Sequence, residues 1–111
     1  MKKKGAYLGT ECHGKWWKRY TKKGYFIRGN GTYWNGKNGI YFQRCLTTIP
    51  IYIPYKDMQD VRLGQRHSGR YVILKKVVKI YWKCGKDKLC SGFLMDNPVR
   101  TRNSLCRKIR K

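Results

Sequence analysis

The stretch from Ile40 to Leu63, IYFQRCLTTIPIYIPYKDMQDVRL, decides the fold. Ile40, Phe42 and Arg44 alternate with Tyr41, Gln43 and Cys45. After a short break, Ile49, Ile51 and Ile53 alternate with Pro50, Tyr52 and Pro54, and Val61 and Leu63 then alternate with Asp60 and Arg62. A period of two is the pattern of a strand with one face on a core and the other in water. Pro50 and Pro54 have no N–H to give a ladder, so the middle strand lies at an edge or is bracketed by bends. The stretch predicts three short antiparallel strands, with the rest of the chain packed on their Ile/Val face.

Outward from there the pattern continues. Upstream, Gly29-Asn30-Gly31 marks a break, Thr32 to Trp34 reads as a strand, and Asn35-Gly36-Lys37-Asn38-Gly39 as a tight turn into Ile40. Asn and Gly supply the positive φ angles such a hairpin turn needs. Downstream, Gly64 to Gly69 reads as a loop with His67 solvated in it, and Tyr71 to Leu74 as a strand. Val78, Ile80 and Trp82 alternate with Lys79, Tyr81 and Lys83; a turn at Gly85 to Lys88 leads to a returning strand from Leu89 to Met95. Ser91 and Gly92 fall inside that strand, where a glycine permits a bulge or close packing by another element. Asp96-Asn97-Pro98 is a helix start, a capping side chain followed by Pro at the first helical position. Val99, Cys106 and Ile109, with Leu105 beside them, form its apolar face. Residues 1–28 carry nine cations among Tyr7, Trp16, Trp17, Tyr20, Tyr25 and Phe26, an apolar load expected to dock as irregular structure or a short helical turn.

With 111 residues the chain is long enough for one small domain and too short for two. It divides into a basic aromatic segment (1–28), a β core (29–97) and a basic helix (98–111). Lys and Arg number 27 against five acids, a net charge of +22. Charges so one-sided repel one another, and a polyanionic partner relieves that repulsion. Nucleic acid and anionic membrane surfaces are the natural candidates. Five scattered cysteines, with no repeated Cys-x-x-Cys, no apolar run of signal-peptide type and none approaching a membrane span, read as reduced thiols in a cytoplasmic protein.

Strands first and one amphipathic helix last is an order that resembles the pleckstrin-homology (PH) superfamily: a small antiparallel barrel of six or seven strands with a carboxy-terminal helix. The run Ile49-Pro-Ile-Tyr-Ile-Pro-Tyr-Lys-Asp-Met-Gln-Asp-Val61 is similar to the GRAM and bacterial PH-like pattern, in which an apolar strand ends in Ile-Pro, turns, and opens the next strand on an apolar residue. Leu8 to Tyr20 and Gly29 to Trp34 are also similar to small prokaryotic proteins with this pattern. The GRAM-like part covers roughly residues 30–95. The resemblance implies a mainly β, non-enzymatic domain that binds lipid head groups, peptides or other domains. Phosphoinositide-binding members carry basic residues on the first hairpin, where this chain has only Lys37 and Arg44.

Catalytic constellations are thin. Asp57 and Asp60 read as turn and edge residues, and His13 beside Cys12 has no second histidine near it in sequence to make a nucleophile dyad. No Gly-rich phosphate loop precedes a helix. No cofactor is expected. Cys12, His13, Cys84 and Cys90 form a weak alternative set of zinc ligands, against ordinary thiols. The better signal is Lys15, Trp16, Trp17, Lys18 and Arg19, followed by Lys22 and Lys23, because cations neutralise phosphates while exposed rings stack on bases. If the Trp pair instead fills the core, the charged heads remain at the surface. The helix adds Arg100, Arg102, Arg107, Lys108 and Arg110. Nucleic acid is thus the first expectation, ahead of an anionic membrane, because no exposed aliphatic cluster suits bilayer insertion; an acidic protein partner is the third.

Overall fold

A computed structural model describes residues 2–13, 15–19, 29–45, 47, 50–67, 70–71 and 76–109; for 16–19, 66, 70 and 71 it describes the backbone alone. The strands are β1 (Lys3–Cys12), β2 (Lys15–Arg19), β3 (Gly29–Asn35), β4 (Gly39–Arg44), β5 (Ile51–Pro54), β6 (Met58–Gly64), β7 (Arg66–His67), β8 (Arg70–Tyr71), β9 (Val77–Cys84) and β10 (Asp87–Leu94). A 3-10 turn (Tyr55–Asp57) joins β5 to β6, and one helix, α1 (Pro98–Ile109), ends the chain. Seven strands run in the order β5-β4-β3-β1-β10-β9-β6, antiparallel throughout, an open barrel-like sheet with β5 and β6 at its edges.

The alternating stretch forms as its pattern requires. Ile40, Phe42, Ile51, Ile53 and Val61 are buried, and Val78, Ile80 and Trp82 meet them from β9. Proline-bearing β5 is an edge strand. The turn into β4 closes with Gly36 N–H donating to Gly39 O at 2.8 Å. Ile49 and residues 72–74 lie outside the described residues.

The amino-terminal expectation is corrected. Lys3–Cys12 is neither irregular nor helical but, with ten residues, the longest strand and the centre of the sheet. Lys3 to Tyr7 pair with β3, while Ala6 to Cys12 pair with β10 on the other side. Glu11 and Cys12 then take β2 on the side that β3 has left. A bulge between Tyr7 and Gly9, with Gly9 at φ 105°, resets which side chains face inward. Thr10 and Ser91 consequently meet across the strands on the core face, Oγ1 to Oγ 2.7 Å. Tyr7 OH lies 2.5 Å from the same Thr10 oxygen, and Trp82 Nε1–H donates to Ser91 Oγ at 3.0 Å.

A second correction concerns residues 64–69. The loop contains β7, paired with β8, and His67 is 1% exposed rather than solvated. Its ring lies on Gly92, where a Cβ would come within 2.4 Å of ring carbons. That close approach is why β10 carries a glycine there.

The helix closes the fold. Asn97 Oδ1 accepts from Arg100 N–H at 3.3 Å, and Tyr33 OH accepts from Asp96 N–H at 2.9 Å, tying the helix start to β3. Leu105 is fully buried, and Cys106 Sγ donates to Val61 O at 3.8 Å, so α1 lies against β6. The buried face is centred on Leu105 and Ile109; Val99, expected on it, is 46% exposed.

Candidate polyanion-binding surface

Three consecutive strands place one aromatic each in a single cross-strand row. Trp34 on β3 is the partner of Tyr41 on β4, and Tyr41 the partner of Tyr52 on β5. All three are half-buried on the face away from the core, because their neighbours Tyr33, Ile40, Phe42, Ile51 and Ile53 take the inner positions. The rings stack in sequence, Trp34 on Tyr41 at 5.3 Å between centroids with planes 7° apart, and Tyr41 on Tyr52 at 4.7 Å. Lys2 Nζ sits over Trp34, 4.6 Å from its ring centroid. At the other end the row reaches β5, the last strand in the order.

Beside that end is a hollow of about 680 Å³ walled by Lys37, Lys56 and Lys108, with Asn38, Tyr52 and Tyr55 among its other lining residues. Each lysine comes from a different element: the β3–β4 turn, the 3-10 turn and the last turn of α1. All three are exposed. Tyr55 holds the pieces together. Its N–H donates to Asn38 O at 3.0 Å, its hydroxyl donates to Gly36 O at 2.9 Å, and Lys108 Nζ sits 5.1 Å over its ring. Burial pushes the Tyr55 phenol above its ordinary pKa, so it stays a neutral donor at physiological pH. A larger hollow of about 1030 Å³, at the start of α1, is lined by Lys4, Lys76, Asn30, Met95 and Val99 among others. It has two lysines where the smaller has three, and an acid, Asp96, in its wall.

Of the sequence-derived site residues, Lys15 is exposed at the start of β2. Trp16, Trp17, Lys18 and Arg19 continue that strand, and Arg19 stands opposite Glu11 in the register. Lys22, Lys23 and Arg110 lie outside the described residues. Arg100 and Arg107 are exposed on α1 and Arg102 is half-buried. Among those whose side chains are described, Lys108 is the one that lines the hollow. β2 adjoins β1, whereas α1 packs chiefly on β6, three strands further along the order. Arg44, one of two cations on the first hairpin, is 5% exposed and points inward, its guanidinium 6.0 Å from the Tyr7 ring. Sequence reasoning missed Lys56 and the aromatic ladder. The ladder was written in the outward positions of the alternation itself, once the register of three strands is known.

The four weak metal candidates do not assemble. Across the β9–β10 hairpin Cys84 stands opposite Asp87 and Cys90 opposite Tyr81. Cys12 and His13 instead join Asp87, with His13 Nε2 3.4 Å from its carboxylate, and Cys90 joins Glu11 and His67.

A curled antiparallel sheet plugged by one terminal helix, with basic and aromatic groups on its outer face, is the build of a small binding module. The chain belongs to the bacterial PH domain-like family, whose model matches residues 1–108. That span is wider than the roughly 30–95 over which the sequence resemblance was legible, because it includes β1 and most of α1. No curated protein and no solved structure matches the chain. PH-like domains are in general binding modules rather than catalysts.

Proposed function

We propose that this PH-like domain is a non-enzymatic, cytoplasmic polyanion-binding module whose partner is nucleic acid. The observation that carries the reading is the aromatic ladder ending at Tyr52 beside Lys37, Lys56 and Lys108. Tyr52 also lines the hollow, so a base packed on it there brings its flanking phosphates to three cations. Stacking plus phosphate neutralisation is how single strands are held without base-specific contacts. The net charge of +22 supports it, and Lys15 to Arg19 on β2 with Arg100, Arg102 and Arg107 on α1 supply further phosphate contacts along a longer strand. The odd, scattered set of cysteines supports the cytoplasmic placement.

The test is binding of a labelled mixed-sequence single strand at rising NaCl. Each neutralised phosphate releases counterions, so log K is expected to fall linearly with log salt, by about 0.7 per contact for a single strand. Replacing Lys37, Lys56 and Lys108 together by Gln is expected to flatten that slope by about 2. Tyr52→Ala is expected to cost about 1–3 kcal/mol of binding with the fold intact. The compact three-lysine hollow also suits a phosphorylated head group, which makes an anionic membrane the second reading. Capture by anionic vesicles with no nucleic-acid binding at physiological salt would overturn the first in its favour; indifference to both leaves an acidic protein partner.

A further inference from the structure

On the face of the sheet away from the core, a second, buried cluster lies apart from the three-lysine hollow. Glu11 on β1 and Cys90 on β10 are direct cross-strand partners, and Tyr81 on β9 is the next residue in the same row. His67 reaches this row from β7 by lying flat on Gly92. Glu11, His67 and Cys90 are 7%, 1% and 4% exposed. His67 Nε2 is 2.7 Å from Gly9 O. A carbonyl only accepts, so Nε2 carries the proton and donates it. Nδ1 then faces Glu11 Oε2 at 3.7 Å. A ring nitrogen, a carboxylate oxygen and the Cys90 sulfur all lie within 4.8 Å of one another.

We propose that Glu11, His67 and Cys90 are the protein ligands of a zinc-class divalent cation that holds β7 against β1 and β10. The donor types are those zinc takes, and its bond lengths place tetrahedral neighbours about 3.4–3.6 Å apart, so the cluster needs only a small contraction. The histidine is oriented as metal-bound histidines are, with its other N–H given to a backbone carbonyl. Tyr81 is the cross-strand partner of Cys90 on β9, which places a phenol in the row beside a coordinated thiolate. A divalent cation with one carboxylate and one thiolate makes a neutral site, one unit more positive than the metal-free cluster, because the Cys90 proton leaves to solvent as the cation enters. Without metal, burial pushes the Cys90 thiol up to about 12, and a cation beside it would favour the thiolate. The glycines fit the same purpose. Gly9 sits at the bulge of β1, and Gly92 makes the floor on which the ring rests, since a Cβ there would come 2.9 Å from Nδ1.

The test uses the full chain, stripped of metal by a chelator and titrated with Co²⁺, then with Zn²⁺ in competition. One equivalent of Co²⁺ is expected, with a thiolate-to-cobalt charge-transfer band that Zn²⁺ abolishes. Cys90→Ser is expected to remove that band, and Glu11→Gln and Gly92→Ala each to weaken binding at least about tenfold. Cys12→Ser, in the separate Cys12–His13–Asp87 cluster, is expected to leave the band unchanged. X-ray absorption of the wild-type zinc form needs no variant, and should show one sulfur with two or three nitrogen or oxygen neighbours. No stoichiometric binding, a shell without sulfur or with several, or a band lost in Cys12→Ser and kept in Cys90→Ser would overturn the site. A protein that binds no metal leaves the pairing of His67 with Glu11 as the account of the cluster.

Discussion

Ser91 shows how much one side chain settles in this fold. Its hydroxyl, fully buried, is shared by Thr10 from β1 and by the Trp82 indole from β9, so three strands are locked in register through one oxygen. Ser91→Ala leaves those two groups to lose their common partner in a place water does not reach. The expected cost is about 1–3 kcal/mol, read from chemical denaturation. Combining it with Thr10→Val should cost less than the two single changes added, because each single change strands the other's group. Strict additivity would show that the hydroxyls act independently. His67 carries the same lesson in reverse. Its Gly/Ser surroundings in sequence signal a wet loop, and nothing local says that the chain folds back to press the ring on Gly92, 25 positions downstream in β10. Burial decided by a distant glycine is not written in a short window of sequence.

At the scale of elements, legibility follows solvent. Strands β4, β5, β6 and β9 have one wet face, so their apolar residues alternate and the sequence shows them. In β1 the six residues from Tyr7 to Cys12 are all buried, as are the five from Leu89 to Phe93 in β10, because both faces of the sheet are covered there. Alternation vanishes under those conditions, and in β1 the glycines and the bulge break what remains. The β10 strand was still legible, since the preceding turn announces it; β1 was not. The helix was legible from its Asn97-Pro98 start, but its orientation was not. The structure predicts that Leu105→Ala costs about 2–5 kcal/mol as a cavity beneath α1, while Val99→Ala stays within about 0.5 kcal/mol as an exposed change. Thermal or denaturant unfolding of the two variants distinguishes them. Equal losses would place Val99 back on the buried face, and cooperative unfolding of a chain cut after Asn97 would remove the helix from the core altogether.

For the whole molecule the governing quantity is charge, 27 cations against five acids on 13.2 kDa. Three of the acids are already engaged within the fold: Glu11 beside His67, Asp60 with Arg62 at 2.7 Å, and Asp87 beside His13. Little negative charge is left to offset the cations at the surface. Lys37, Lys56 and Lys108, brought to one hollow from three elements, repel one another until an anion arrives. Screening shortens from about 10 Å at 0.1 M salt to about 3 Å at 1 M, so NaCl should stabilise the free protein over this range. Each kcal/mol of relieved repulsion raises Tm by about 4 °C in a chain of this size. The same salt weakens nucleic-acid binding by counterion competition. Fold stability and affinity are therefore expected to move in opposite directions with salt, and a short single strand at low salt should raise Tm more than NaCl alone does. The Lys37, Lys56 and Lys108 to Gln variant should start with a higher Tm at low salt and gain less from either addition. A Tm that is flat or falling with NaCl, or a triple variant no more stable than its parent at low salt, would show that the cations are spaced widely enough not to strain the fold. The hollow would then have no electrostatic reason to seek a phosphate.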